Sequence, residues 1–253
     1  MSLRKDQLEH PAIRYQTPIA KAIVEWGVNY SAQPFTVEGQ DNLDRARRMM
    51  EQSGSWAFTP NHTSNGDGPV VERALVENGV PDAAYILGRR LLTNPATRHL
   101  TTGVTHIPIW PPTETPKNDQ EEHVRGEMNK VARSAASAVL VAHHPLVVFI
   151  EGGRSYGGGL KQPNPQVVVL FDQETVVTPV GISGLFENFP HKRILPSRGP
   201  VAVRFGEPRF MSEIKKRHAG EGKEERRQGV VDDIMLGIRD VLPERYHGAY
   251  TGR

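Results

Sequence analysis

Six short apolar or β-branched runs recur along this chain, and stretches of helical spacing separate them. The runs are Trp56–Thr59, Ala83–Leu87, Val104–Ile109, Leu146–Ile150, Val176–Gly181 and Val201–Phe205. The helical stretches are Gly68–Asn78, Asp119–Ala142, Gln166–Phe171 and Glu224–Val241. Such alternation excludes an all-helical bundle and an all-β sandwich. It predicts an α/β layer fold, with a mixed, largely parallel sheet flanked by helices. A length of 253 residues suits one substantial core. The N-terminal part, 1–34, reads as a helical extension, because Ile19, Ala22, Ile23 and Trp26 share one helical face with Lys21 and Glu25 off it. Residues 35–253 then form the α/β domain. A further helix is predicted over Asn42–Glu51 with Asp41 as its N-cap. The charge-dense segment Met211–Gln228 reads as solvated surface, and the Pro-rich segments Pro108–Pro116 and Gln162–Pro165 as loops.

Composition narrows the function classes. Lys plus Arg exceeds Asp plus Glu by only 2, which argues against a nucleic-acid binder or an acidic tail protein. The absence of cysteine removes thiol catalysis, disulfides and Cys-ligated zinc. No metal site is expected. Of the ten histidines, only His143 and His144 are adjacent, and neighbours on a helix face different ways. The longest apolar region, Ser137–Ile150, is interrupted by His143, His144 and Pro145, short of the roughly 20 residues a membrane span needs. A soluble, cytoplasmic protein is expected, with peripheral contact to a membrane left open.

Two loops carry chemistry. The first, Pro60–Pro69, follows the Trp56–Thr59 run and contains His62 and Asp67. In an α/β sheet the carboxyl ends of the strands are where ligands bind. On one continuous helix, positions five apart would diverge, but Asn65-Gly66 and Gly68-Pro69 favour a turn that can fold the carboxylate back onto the imidazole. A carboxylate on one ring nitrogen fixes the tautomer and leaves the other nitrogen as a base near neutral pH. The competing reading makes Asp67 the N-cap of the next helix and His62 a surface residue. The second loop follows Leu146–Ile150 and reads Glu151-Gly152-Gly153-Arg154-Ser155-Tyr156-Gly157-Gly158-Gly159-Leu160-Lys161. Glycines there let the backbone approach an anion, and Arg154 offers a planar fork for a phosphate. It lacks the spacing of a Walker A loop or a dinucleotide fingerprint. Its competing reading is a surface loop in which Arg154 pairs with Glu151.

Taken together, the loops resemble a known family. Asn61-His62-Thr63-Ser64-Asn65-Gly66-Asp67 is similar to the N-H-x-S-x-x-D block of the glycerolipid acyltransferases, and Phe149–Ser155 to their F-I-E-G-G-R-S block. Val37–Leu43 resembles the strand and turn before the His block, and Val177–Gly181 the late V-x-P-V block. The resemblance spans Phe35 to Phe205. It implies a glycerol-3-phosphate acyltransferase-like fold. It also implies transfer of a fatty acyl group from a coenzyme A or acyl-carrier-protein thioester, as co-substrate and without a cofactor, to a hydroxyl of glycerol 3-phosphate or a lysophospholipid. His62 would be the general base and Asp67 its orienter. Glu151, Gly152, Gly153, Arg154 and Ser155 would shape the acceptor site, with Arg154 on the phosphate. Two basic positions of the family pattern are filled otherwise, by Trp110-Pro111-Pro112 and by Tyr156, which leaves Arg89, Arg90 and Lys117 as candidate phosphate contacts. A His/Asp-dependent thioesterase or phosphoester hydrolase, transfer to a non-phosphorylated acceptor, and a non-catalytic acyl-carrier or phospholipid binder stay open beside it. Ser64 is read as bracing the turn, and the 19–30 helix, Trp110 and the Pro108–Pro116 loop as candidates to line an acyl groove.

Overall fold

The computed structural model describes residues 13–14, 18–93, 104–190 and 195–253. Among the described residues, nine strands form one sheet: β1 (Ile13–Arg14), β2 (Ala32–Glu38), β3 (Trp56–Pro60), β4 (Ala84–Gly88), β5 (Thr105–Ile109), β6 (Leu146–Val147), β7 (Val176–Ser183), β8 (Gly199–Phe205) and β9 (Arg209–Phe210). The strand order is β1-β5-β4-β6-β3-β7-β8-β2, with β9 also on β7. From β5 to β7 the neighbours are parallel, whereas β1, β8 and β9 run antiparallel to their partners β5 and β7. The mixed, largely parallel α/β sheet expected from the sequence is thus observed. Every residue of β3 and β7 is buried, which is why these strands read as apolar runs rather than alternating ones.

The α-helices among the described residues pack around the sheet: α1 (Pro18–Ser31), α2 (Gln40–Ser53), α3 (Asp67–Glu77), α4 (Arg89–Thr93), α5 (Asp119–Val141), α6 (Leu185–Asn188), α7 (Met211–Arg217) and α8 (Lys223–Asp240). One core joins Ala135, Ala136 and Leu140 of α5 and Ile234 and Ile238 of α8 to Ile107, Leu146 and Ile150. The other core, across the sheet, joins Leu43 of α2, Val70 and Leu75 of α3 and Val28 of α1 to Phe58, Tyr85 and Val147. No helix among the described residues is long and apolar enough to cross a membrane.

Several elements differ from the sequence reading. The second helix starts at Gln40, and its N-cap is Gly39 at φ 79° without a side-chain cap, so Asp41 lies in the first turn instead. A Cβ at Gly39 would stand 2.2 Å from the Phe205 carbonyl oxygen, so only glycine lets the chain turn this tightly under β8. The 166–171 stretch is a 3-10 helix, Pro165–Leu170, held by the Asn164 side chain accepting from the Gln166 N–H. The charge-dense 211–228 segment contains α7, whose Met211 and Ile214 are buried; Lys216 is exposed, whereas Lys215 is half-buried and its Nζ donates to the Phe171 carbonyl at 3.0 Å. On α1 the inward stripe runs through Val24 and Val28. Trp26 is 62% exposed and stacks on Tyr30 at 5.4 Å. The side chains of Ile19 and Ile23, and residues Asn94 and Pro95, lie outside the described set.

Candidate active site

The first loop leaves the carboxyl end of β3, the middle of the parallel set. Asn61 extends the strand's pairing by its side chain: Oδ1 accepts from the Ile182 N–H at 2.6 Å and Nδ2 donates to the Ile182 carbonyl at 3.1 Å. This fixes the chain one residue before His62. The next five residues turn so that Asp67 comes back under the ring. Asp67 Oδ2 lies 2.9 Å from His62 Nδ1 and accepts the Thr63 and Ser64 N–H groups at 2.6 and 2.7 Å. Asp67 is fully buried at the start of α3, where the helix dipole favours a negative charge. It does not cap that helix, because the N-cap is Gly66 and the carboxylate points back to the loop. Ser64 braces the turn: its hydroxyl donates to the Phe189 carbonyl at 2.9 Å and accepts from the Gly66 N–H at 3.1 Å.

The second loop folds against the first. Glu151 is 4% exposed and does not pair with Arg154. Its Oε1 accepts the His62 N–H at 2.7 Å, and its Oε2 the Lys161 N–H at 2.9 Å. The Ser155 N–H donates to the His62 carbonyl at 2.7 Å. Both peptide groups flanking the histidine are therefore held by the glycine-rich loop. Burial pushes the Glu151 carboxyl up from 4.5 to about 7, against the two backbone N–H groups and the Lys161 ammonium, which pull it down. Gly152 turns the chain at φ 65°. The far end of the loop is tied to the C-terminal turns, with the Leu160 N–H on the Tyr246 carbonyl and the Ala249 N–H on the Leu160 carbonyl.

A cavity of about 740 Å³ opens beside the two loops, within the range of small-molecule sites. His62, Gly152, Gly153 and Arg154 line it, so the structure brings these expected residues together, whereas Glu151 and Ser155 stand behind the wall as supports. His62 Nδ1 is occupied by Asp67, and the ring lies tilted on Phe149 at 4.3 Å. The Arg154 guanidinium also lines the cavity, and its Nη1 is buried with no partner among the described residues. Away from the loops the wall is mixed: Val24 and Val28 of α1, Val76 of α3 and Leu87 of β4 form an apolar stretch, and Glu72, Arg73 and Arg90 line it as well. Trp110 is buried outside this wall, where its Nε1–H donates to the Glu114 carbonyl. Arg89 and Arg90 both pair with Glu114, at 3.1 and 3.0 Å, and Arg89 lies 3.3 Å over the Trp110 ring. Lys117 is exposed and does not line the cavity. The roles of Asn61 and Phe149 as local supports went unassigned in the sequence reading. Their signal was position alone, at strand ends next to the two loops.

A histidine oriented by a buried carboxylate, beside an unpaired guanidinium, can take a proton from a hydroxyl whose carrier bears an anion. The family model described as Acyltransferase matches residues 34–183. No curated protein matches the chain. Among solved structures it is similar to the 1-acyl-sn-glycerophosphate (LPA) acyltransferase PlsC from Thermotoga maritima, at 20% identity and a TM-score of 0.52. The match covers 95% of this chain and 84% of that one. At this identity the likeness establishes the shared fold.

Proposed function

The chain belongs to the acyltransferase family, whose model matches more than half of it, and from that premise we propose the reaction it carries out. A fatty acyl group passes from a thioester, of coenzyme A or acyl carrier protein, to a hydroxyl of a phosphorylated glycerolipid acceptor, glycerol 3-phosphate or a lysophospholipid. His62 is the general base. Asp67 holds the ring so that Nδ1 carries the proton and Nε2 receives the acceptor's. As the alkoxide oxygen bonds to the thioester carbonyl carbon, the carbon–sulfur bond breaks, and His62 returns the proton to the leaving thiolate. No acyl-enzyme is required, because Ser64, the candidate serine of the loop, is buried and spent on Phe189 and Gly66. The apolar stretch of the cavity suits an acyl chain, and Arg154 suits the acceptor phosphate. The observation that carries the reading is His62, with Nδ1 on Asp67, lining the same cavity as an unpaired arginine.

The PlsC relative acts on a 1-acyl-sn-glycerophosphate, and this acceptor is the first to try. The test incubates acyl-CoA or acyl carrier protein thioesters with lysophosphatidate, glycerol 3-phosphate, a neutral monoacylglycerol, or no acceptor. New ester formed with a phosphorylated acceptor supports the proposal. Thioester cleavage that no acceptor alters would make the protein a thioesterase instead.

A further inference from the structure

The loop 151–161 holds a second cation that the acceptor reading does not use. A Cβ built on Gly153 would lie 3.6 Å from the Lys161 Nζ and 3.5 Å from the Thr113 methyl, so the ammonium sits against the cavity-lining glycine next to Arg154. Lys161 is partly buried, and desolvation lowers its pKa, with the Glu151 charge acting against that fall. Glu151 acts on the ammonium through its charge, while its two oxygens accept the backbone N–H groups of His62 and Lys161. Among the described residues, the ammonium forms no hydrogen bond and no ion pair within 4 Å. Across Gly153, the Arg154 Nη1 is buried and unpartnered among the described residues. Leaving a buried donor unpaired is costly, and Lys161 sets a second, partly buried positive charge beside it. A dianion seated over Gly153 would satisfy both.

Resting on the acyl-transfer reading above, we infer that Lys161 is a specificity-determining residue that grips a substrate phosphate together with Arg154. It supplies a basic contact that Trp110 and Tyr156 do not, beside Arg90, which lines the same cavity and meets Glu114 through its Nε. The phosphate is that of the acceptor headgroup or of a coenzyme A donor, and the two make different kinetic predictions.

The experiment compares wild type, Lys161→Met and Lys161→Arg. Position 161 donates to Glu151 through its backbone N–H, so these side-chain changes leave that loop contact in place. KM is measured for lysophosphatidate at saturating acyl-CoA and for acyl-CoA at saturating lysophosphatidate. A charge-assisted hydrogen bond to phosphate predicts about a 10- to 100-fold rise in one KM for Met and substantial recovery for Arg. A rise for lysophosphatidate alone assigns the headgroup, and a rise for acyl-CoA alone assigns the donor. Neither KM moving overturns the inference. If wild type transfers to no acceptor, the proposed reaction fails on its own account. The Lys161 site is then judged by whether inorganic phosphate raises the melting temperature of wild type but not of Lys161→Met, and equal shifts in both would refute it.

Discussion

Glu151 Oε1 accepts the backbone N–H of His62 at 2.7 Å, and no side chain stands between them. An acid that the resemblance implies for the acceptor site thus holds the main chain of the proposed base. Replacing Glu151 by Gln puts an amide donor against one of two buried N–H donors, at a cost of about 1–3 kcal/mol. The expected result is a lower kcat with a KM for acceptor changed much less, together with a fall in melting temperature. Steady-state kinetics and calorimetry on the same preparations would check it, and a loss confined to KM would return Glu151 to the substrate.

The same carboxyl gives stability a pH dependence of definite sign. Its folded pKa, about 7, lies above the 4.5 of an unburied glutamate, so the folded state binds the extra proton. The stabilisation is fully present below about 4.5 and is lost as pH rises through about 7. Wild type should therefore lose stability relative to Glu151→Gln across that window. Denaturant titrations at pH 5 and pH 8 would reveal the narrowing gap, and an equal gap at both would contradict it.

His62→Ala should reduce transfer by roughly 10²–10⁴, the usual worth of a general base. The ring touches Phe149 at the cavity edge and is only partly buried, so the melting temperature should stay close to that of wild type. Activity retained within tenfold would mean that another group takes the proton.

Asp67→Asn combines two effects. With its oxygen in the place of Oδ2 the new amide keeps the contacts to Thr63, Ser64 and His62, but its NH₂ falls on the buried Oδ1 position, which has no partner among the described residues, and the negative charge facing a protonated ring is lost. A loss comparable with that of His62→Ala is expected, with an added stability cost of about 1–3 kcal/mol that His62→Ala does not share. Comparing the two variants by melting temperature and kcat separates the roles.

Arg154→Ala should raise KM for a phosphorylated acceptor about 10- to 100-fold and leave KM for a neutral monoacylglycerol nearly unchanged. Equal effects on both acceptors would remove the arginine from the phosphate.

The sheet was legible because its central strands are buried on both faces and so advertise themselves as apolar runs. The antiparallel edges were not: β1 and β9 are two residues each, too short for any pattern. Asp67 beneath His62 could be anticipated from the glycines and the spacing. What the spacing could not reveal was where the remaining acceptor capacity of Asp67 goes, since the Thr63 and Ser64 amides are sequence-blind donors. For the same reason Glu151 and Ser155 were assigned to substrate. Main-chain groups hold both of them, and a peptide N–H leaves no trace in a string of side chains. The helix over 40–53 began earlier than its polar residues suggested because a left-handed glycine, not a capping side chain, starts it.

Main-chain hydrogen bonds tie the glycine-rich loop at its two ends, at Glu151 and Ser155 on one side and Leu160 and Lys161 on the other. Between them, Tyr156 is 68% exposed and a Cβ at Gly157 would meet nothing within 4 Å. A Cβ at Gly158 or Gly159 would instead run into Phe186 or Gly248, so positions 156 and 157 are the natural place to redesign: residues exchanged there would change what the mouth of the cavity presents to an incoming alcohol, while the anchorage of the imidazole stays untouched.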